Sequence, residues 1–255
     1  MTHIEGPDDD VKARSVAAAK EVVEHVSVNI APSFRTQPDN PARAFEYASL
    51  ARAARLLLGM TSLFEVKSDD VAQCLARPVF ECWVIGTLLS LSPEEGLSAL
   101  QHDSAFQFER MGKAGSKEHA DFAKELTWER SAINWRRLSE RVEVLIQMKH
   151  GDAAKRTSNV YDTLYRPPSF TDVHSSMGAL AGHISSEPSR FRVVMERGQQ
   201  RSPVPLLMTA ATVVNLAARV EDDIGRNLRH IAILADRLVS LVEEAAKDLF
   251  DLEGH

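Results

Sequence analysis

Two cysteines, three tryptophans and three tyrosines are few for 255 residues, and each shortage excludes something. Cys74 and Cys82 lie in one predicted helix, roughly 12 Å apart at 1.5 Å per residue, too far for a disulfide. Neither belongs to a Cys-x-x-Cys pair, so they frame no zinc site and read as small core hydrophobes. Long Val/Ile/Thr runs are missing, which argues against a sheet protein. There is no glycine-rich phosphate loop, dinucleotide fingerprint or G-x-S-x-G elbow, and no Glu-x-x-His or His-x-x-x-His pair. That removes the common nucleotide sites, the serine-hydrolase elbow and the helical zinc motifs, so no cofactor and no metal is expected. Met1 to Asp10 contains no Lys or Arg and no apolar segment, unlike a signal peptide. The most apolar run, Val79 to Leu91, contains Glu81 and covers 13 residues, short of the roughly 20 that span a bilayer. A cytoplasmic protein without a membrane partner is the expectation.

What is present favours helix. Apolar residues make up 44% and charged residues 26%, with Ala, Leu, Glu and Arg abundant. Asp8-Asp9-Asp10 opens a helix to about Ile30, its acids suited to the positive end of the dipole. Pro32, Pro38 and Pro41 mark a linker. Helical spacing runs from Ala42 to Val66, and Ser68-Asp69-Asp70 caps a helix that carries Arg77 and Glu81. Pro78 removes a backbone donor and disfavours helical geometry at Arg77, so a kink or a second helical start is expected there. Ser92-Pro93-Glu94-Glu95 begins a helix to about Met111, and Ser116 to about Lys149 reads as one helix. Short helices follow near 160–165 and from Ser169 to Ile184, and residues 185–202 read as loop or a small hairpin. From Ser202 a last helix keeps three-and-four apolar spacing from Val213 through Ile224 and Leu238 to Leu249. A seam that long wants helical partners, from within the chain or from a second subunit. The fold class is therefore all-α: a bundle of about seven or eight helices with a long C-terminal helix. Residues 1–41 would form an N-terminal helix and linker, and 42–255 the bundle. A homo-oligomer formed through the C-terminal helix is the expected assembly.

Charged groups inside apolar patterns are the candidates for a site. Arg77 and Glu81 are one turn apart in an apolar helix, either a structural ion pair or the floor of a pocket. Were Arg77 buried and otherwise unpaired, Glu81→Ala would cost on the order of 3 kcal/mol. Tyr165, Ser169 and His174 cluster about the Pro167-Pro168 break, with Ser169 capping the next helix. His174 near Arg77 and Glu81 would be a base oriented by the carboxylate, and a buried structural histidine is the plainer alternative. Arg219, Asp222, Asp223, Arg226 and His230 share a side of the last helix and read as surface pairing. Arg190, Arg192, Arg197 and Arg201 are candidate phosphate contacts, or simply a solvated loop. The formal net charge of −6 does not indicate nucleic acid as a partner, although a local basic patch is compatible with one.

The helix Ala76-Arg77-Pro78-Val79-Phe80-Glu81, followed by Tyr165-Arg166-Pro167-Pro168-Ser169 and His174, resembles a bacterial helical family of unknown function. Its members carry an Arg-Pro-x-x-Glu helix and a later Tyr…Ser…His segment. The likeness spans about residues 45–235 and implies that Arg77, Glu81, Tyr165, Ser169 and His174 converge in one polar pocket. The layout is also similar to the HEPN superfamily, whose nucleases place four to six residues between an arginine and a histidine. Arg166 and His174 have seven between them and Arg226 and His230 three, so the chain departs from that motif. Together these readings give a cytoplasmic binding or interaction protein. The alternative is an RNase-like enzyme of defence or toxin type, with His174 as base and Arg77 stabilising charge.

Overall fold

The computed structural model describes residues 9–36, 39–151, 184–187, 190–193 and 202–251. They are all-α apart from one short hairpin, with eight α-helices of nine residues or more. In chain order these are α1 (Asp9–Glu24), α2 (Pro41–Glu65), α4 (Ala76–Leu91), α5 (Pro93–Lys113), α6 (Lys117–Glu125), α7 (Trp135–His150), α8 (Val204–Asp223) and α9 (Arg229–Asp251). A five-residue α3 (Asp69–Gln73) precedes α4. Strands β1 (Ile184–Glu187) and β2 (Arg190–Val193) pair antiparallel, Ile184 opposite Val193 and Glu187 opposite Arg190.

Local chemistry explains most boundaries. Pro41 belongs to α2 as its first residue, where its missing N–H is no loss, and Asn40 accepts from the Arg43 N–H at 3.1 Å. Pro78 produces the second helical start. The chain tightens after α3, with Cys74 N–H bonded to Val71 and Leu75 N–H to Ala72. α4 then begins at Ala76, so the proline occupies a first turn whose donors have no intrahelical acceptor. Cys74 and Cys82 consequently lie on either side of this break and not in one helix. Burial pushes the Cys82 thiol up to about 11, helped by Glu81 and opposed by Arg52.

Two expected helices divide. The stretch from Ser116 to Lys149 is interrupted between Glu125 and Trp135, where the Ile133 N–H bonds Asp103 Oδ1 at 3.1 Å and Asn134 caps α7 by accepting from Arg137 N–H. The C-terminal seam divides into α8 and α9. Gly225, at φ +70°, takes the left-handed position that an L side chain resists. Its N–H bonds the Asp222 carbonyl at 3.0 Å and the Arg226 N–H bonds the Glu221 carbonyl at 2.9 Å. This pair of bonds closes the end of α8, and the Arg229 N–H on Asn227 Oδ1 helps open α9.

The chain separates into two compact units. One comprises Met1–Phe34, Ala48–Trp83 and Asn159–His255. Within it α8 packs on α9, and α1 packs against both. Phe64, Phe80, Leu57, Met60, Leu207 and Leu216 are fully buried there, and the Trp83 indole N–H donates to Asn215 Oδ1 at 3.0 Å. Lys12 and Asp69 form a buried ion pair at 2.7 Å. The seam read for the last helix is used inside the chain: Val213, Ala217, Val220, Ile231, Leu238 and Leu241 are all buried.

The second unit comprises Arg35–Tyr47 and Val84–Ser158. Ala42, Ile85 and Leu89 form its core, with Leu97, Leu100, Ile133, Trp135 and Leu138 packed around them. Arg141 of α7 reaches Glu95 of α5 at 3.1 Å. Gly112 allows α5 and α6 to meet, since a Cβ there would lie 2.7 Å from the Ala120 Cα.

Among the described residues two stretches, Val71–Leu91 and Val204–Asp223, are long and apolar enough to cross a membrane by length and composition. In each, 61% of the apolar window is buried inside the protein, which is also how a core helix is placed.

Candidate functional site

The end of α8, the start of α9 and the extension of α1 bring one polar cluster together. Beyond Glu24 the chain widens into a π-helix, His25–Ile30, in which the Ala31 N–H reaches back five residues to the Val26 carbonyl. π-turns of this kind re-aim side chains and are frequent at functional sites. His25 and Glu221 are 5% and 3% exposed, and His25 Nε2 lies 3.0 Å from Glu221 Oε1. The Asn29 amide approaches His25 Nδ1 at 3.2 Å. An amide nitrogen only donates, so Nδ1 accepts, and Nε2 carries the hydrogen given to the carboxylate.

Both ring nitrogens of His25 are thereby engaged. Burial holds its pKa below the usual histidine range, with the charges of His230 and Arg226 acting in the same direction and Glu221 opposing. A lowered pKa makes the neutral ring part of the folded state, so that share of stability is present above pH 6.5, the ordinary value. It is lost as pH falls through 6.5 towards the lowered folded value, by at most about 1.4 kcal/mol per pH unit. Urea midpoints on either side of pH 6.5 are expected to show this slope in the native protein and a flatter one in His25→Gln.

Around the dyad, the His230 ring lies against that of His25 with centroids 4.6 Å apart and the planes tilted by 35°. Arg226 donates to the Asn29 carbonyl and to Ser33 Oγ, the latter at 2.6 Å. Its guanidinium ties the end of the π-helix to the Gly225 turn. His25, Asn29, Glu221, Arg226, Asn227 and His230 line an open pocket of about 390 Å³. Glu221 Oε2 is buried and accepts no hydrogen bond among the described residues, and a buried carboxylate oxygen left so costs roughly 1–3 kcal/mol or more. No group of three or more His, Cys, Asp or Glu side chains among the described residues is arranged to hold a metal.

The expected pocket residues fare differently. Arg77 Nε donates to Glu81 Oε1 at 3.2 Å, as their spacing requires, but the side chains are 29% and 27% exposed. They sit at the edge of the core and do not line the pocket described above. Solvent therefore weakens the pair, and the condition for a 3 kcal/mol loss is not met. Glu81→Ala is expected to cost less than about 1 kcal/mol, read as a denaturant midpoint. Tyr165, Ser169 and His174 lie outside the described residues, as do Arg197 and Arg201. Arg190 and Arg192 are on β2, opposite Glu187 and Ser185. Of the group assigned to one side of the last helix, Arg226 is in the turn between α8 and α9 and only His230 is on α9.

His25, Asn29 and Glu221 were not among the sequence candidates. The signal that finds His25 and Glu221 is the one applied to Arg77: a titratable group at a core position. His25 continues the buried Ala18–Val22 side of α1, and Glu221 continues Val214–Ala217 on α8. No family model, curated protein or solved structure matches the chain.

Proposed function

We propose that the protein is a helical binding protein of the cytoplasm, and that its ligand seats in the pocket of His25, Asn29, Glu221, Arg226, Asn227 and His230. One observation carries the reading: Glu221 lines a solvent-open pocket, and its buried Oε2 has no hydrogen bond among the described residues. A carboxylate oxygen in that state calls for a donor, and a ligand with an ammonium or N–H group supplies one. Arg226, Asn227 and His230, all exposed, offer further donors to an anionic portion of the same ligand. Binding is favoured over proton transfer because both nitrogens of His25 are already engaged, leaving that ring no free base.

The test is a thermal-shift screen of small amines, amino acids and phosphates, run on the native protein and on Glu221→Gln. The expected result is at least one amine-bearing compound that raises the native midpoint and loses its effect in Glu221→Gln. Compounds acting equally on both proteins, or none acting at all, would contradict the reading. An RNA-cleavage assay on the same preparation separates it from phosphodiester hydrolysis by His174 and Arg77. Cleavage abolished by His174→Ala would establish that alternative instead.

A further inference from the structure

α9 carries two apolar faces, and among the described residues one of them is buried far more deeply than the other. Ile231, Leu234, Leu238, Leu241 and Ala245 are buried within the chain. A second series, Leu228, Ala232, Ala235, Val239, Val242 and Ala246, recurs at alternating steps of four and three, the spacing of a two-helix seam. Leu228 and Val239 are 38% and 54% exposed, Ala232 is exposed, and Ala235, Val242 and Ala246 are half-buried. α1 takes the far side of α9, where Arg14 pairs with Glu244 at 3.0 Å and Arg237 with Glu21. At 100° per residue, that edge is more than a third of a turn from the second series.

The charges beside this second series identify its occupant. Arg229, Asp236 and Glu243 follow one another at intervals of seven, so they form a single row along the stripe. All three are exposed and carry no ion pair among the described residues. A second copy of α9 laid antiparallel, with its two-fold axis near Asp236, brings Arg229 of each copy level with Glu243 of the other, two opposite-charge pairs against one exposed Asp236–Asp236 contact at the axis. The apolar positions then interleave in layers centred one residue further on, Ala232 against Val242 and Ala235 against Val239, about 3 Å from exact level at 1.5 Å per residue. A parallel copy would instead carry this row on the opposite side of the seam from its counterpart, so no Arg229–Glu243 pair could form.

We propose that the protein forms a homodimer through this second face of α9, the two helices antiparallel and held in register by the Arg229–Glu243 pairs. The stripe is about 27 Å long at 1.5 Å per residue. Such a contact is small beside the 1,200–2,000 Å² or so of a standard interface, so the dimer dissociates in the micromolar range.

Sedimentation velocity from low to several hundred micromolar tests this against the 28.2 kDa monomer. The native protein is expected to move from monomer to dimer across that range, and Val239→Glu to remain monomeric with an unchanged helical spectrum. Arg229→Glu should weaken the dimer about fivefold, and adding Glu243→Arg to it should restore native affinity. Should Val239→Glu fail to fold, this charge series decides alone, because both positions are exposed. A protein that is monomeric throughout, or a dimer indifferent to Val239→Glu, overturns the proposal. Failure of the double reversal to restore the dimer overturns the antiparallel register.

Discussion

Asp69→Asn is expected to lower stability by about 3–5 kcal/mol, among the largest effects of any single replacement in this chain. Lys12 and Asp69 are 8% and 6% exposed and meet at 2.7 Å, with the Lys12 ammonium 5.6 Å from the centre of the Phe64 ring. The ring face is a weak second site for the cation. It does not replace a carboxylate, so the amide leaves a buried ammonium without its counter-charge. The converse experiment separates the pair's net worth from the penalty of breaking it. Lys12→Met combined with Asp69→Leu removes both charges and should recover most of the loss, because a buried pair in apolar surroundings costs about as much desolvation as it returns. Urea unfolding of the two single variants and the double closes that cycle. If Asp69→Asn unfolds at the native midpoint, the pair is not buried as described.

Phe80→Ala should cost a similar 3–5 kcal/mol through a different mechanism, the loss of transferred apolar surface plus the cavity left behind. Phe80 is fully buried, and its ring lies 5.9 Å from that of Trp83. Trp83 is fixed by its bond to Asn215 on α8, so it cannot easily collapse into the space. The cavity term should therefore persist. Phe80→Leu, which keeps most of the volume, is expected to cost well under half as much. Similar losses for the two replacements, measured by the same unfolding assay, would show that the site is not tightly packed.

The elements easiest to read from sequence were those whose signals agreed. α5 was legible at both ends because Ser92, Pro93 and two acids open it and Gly115 follows it. A kink or second helical start near Pro78 followed from its missing donor and its effect on Arg77, and the new helix begins at Ala76. Where the reading failed, apolar spacing ran straight through a break. Val220, Ile224, Leu228 and Ile231 keep helical intervals across the Gly225 turn, so periodicity joined α8 to α9. The local signal was there in Gly225 and Asn227, and the repeated spacing outweighed it. The site was less legible than the fold, for a related reason. Its members are far apart in sequence, with 196 positions separating His25 from Glu221. Each alone looks like a polar residue in a core stripe, and only the packing of α1 against α8 brings them together. Arg77 and Glu81 attracted notice because four residues of one helix guarantee their proximity. That same spacing cannot say how deeply the pair is buried.

The measurement closest to the central claim is the nitrogen-15 spectrum of the His25 ring through a pH titration. The expected result is a neutral ring protonated at Nε2 at pH 7, titrating below the ordinary 6.5, with that signature shifted in Glu221→Gln. A ring protonated at Nδ1, or charged at pH 7, would contradict the dyad on which the pocket rests.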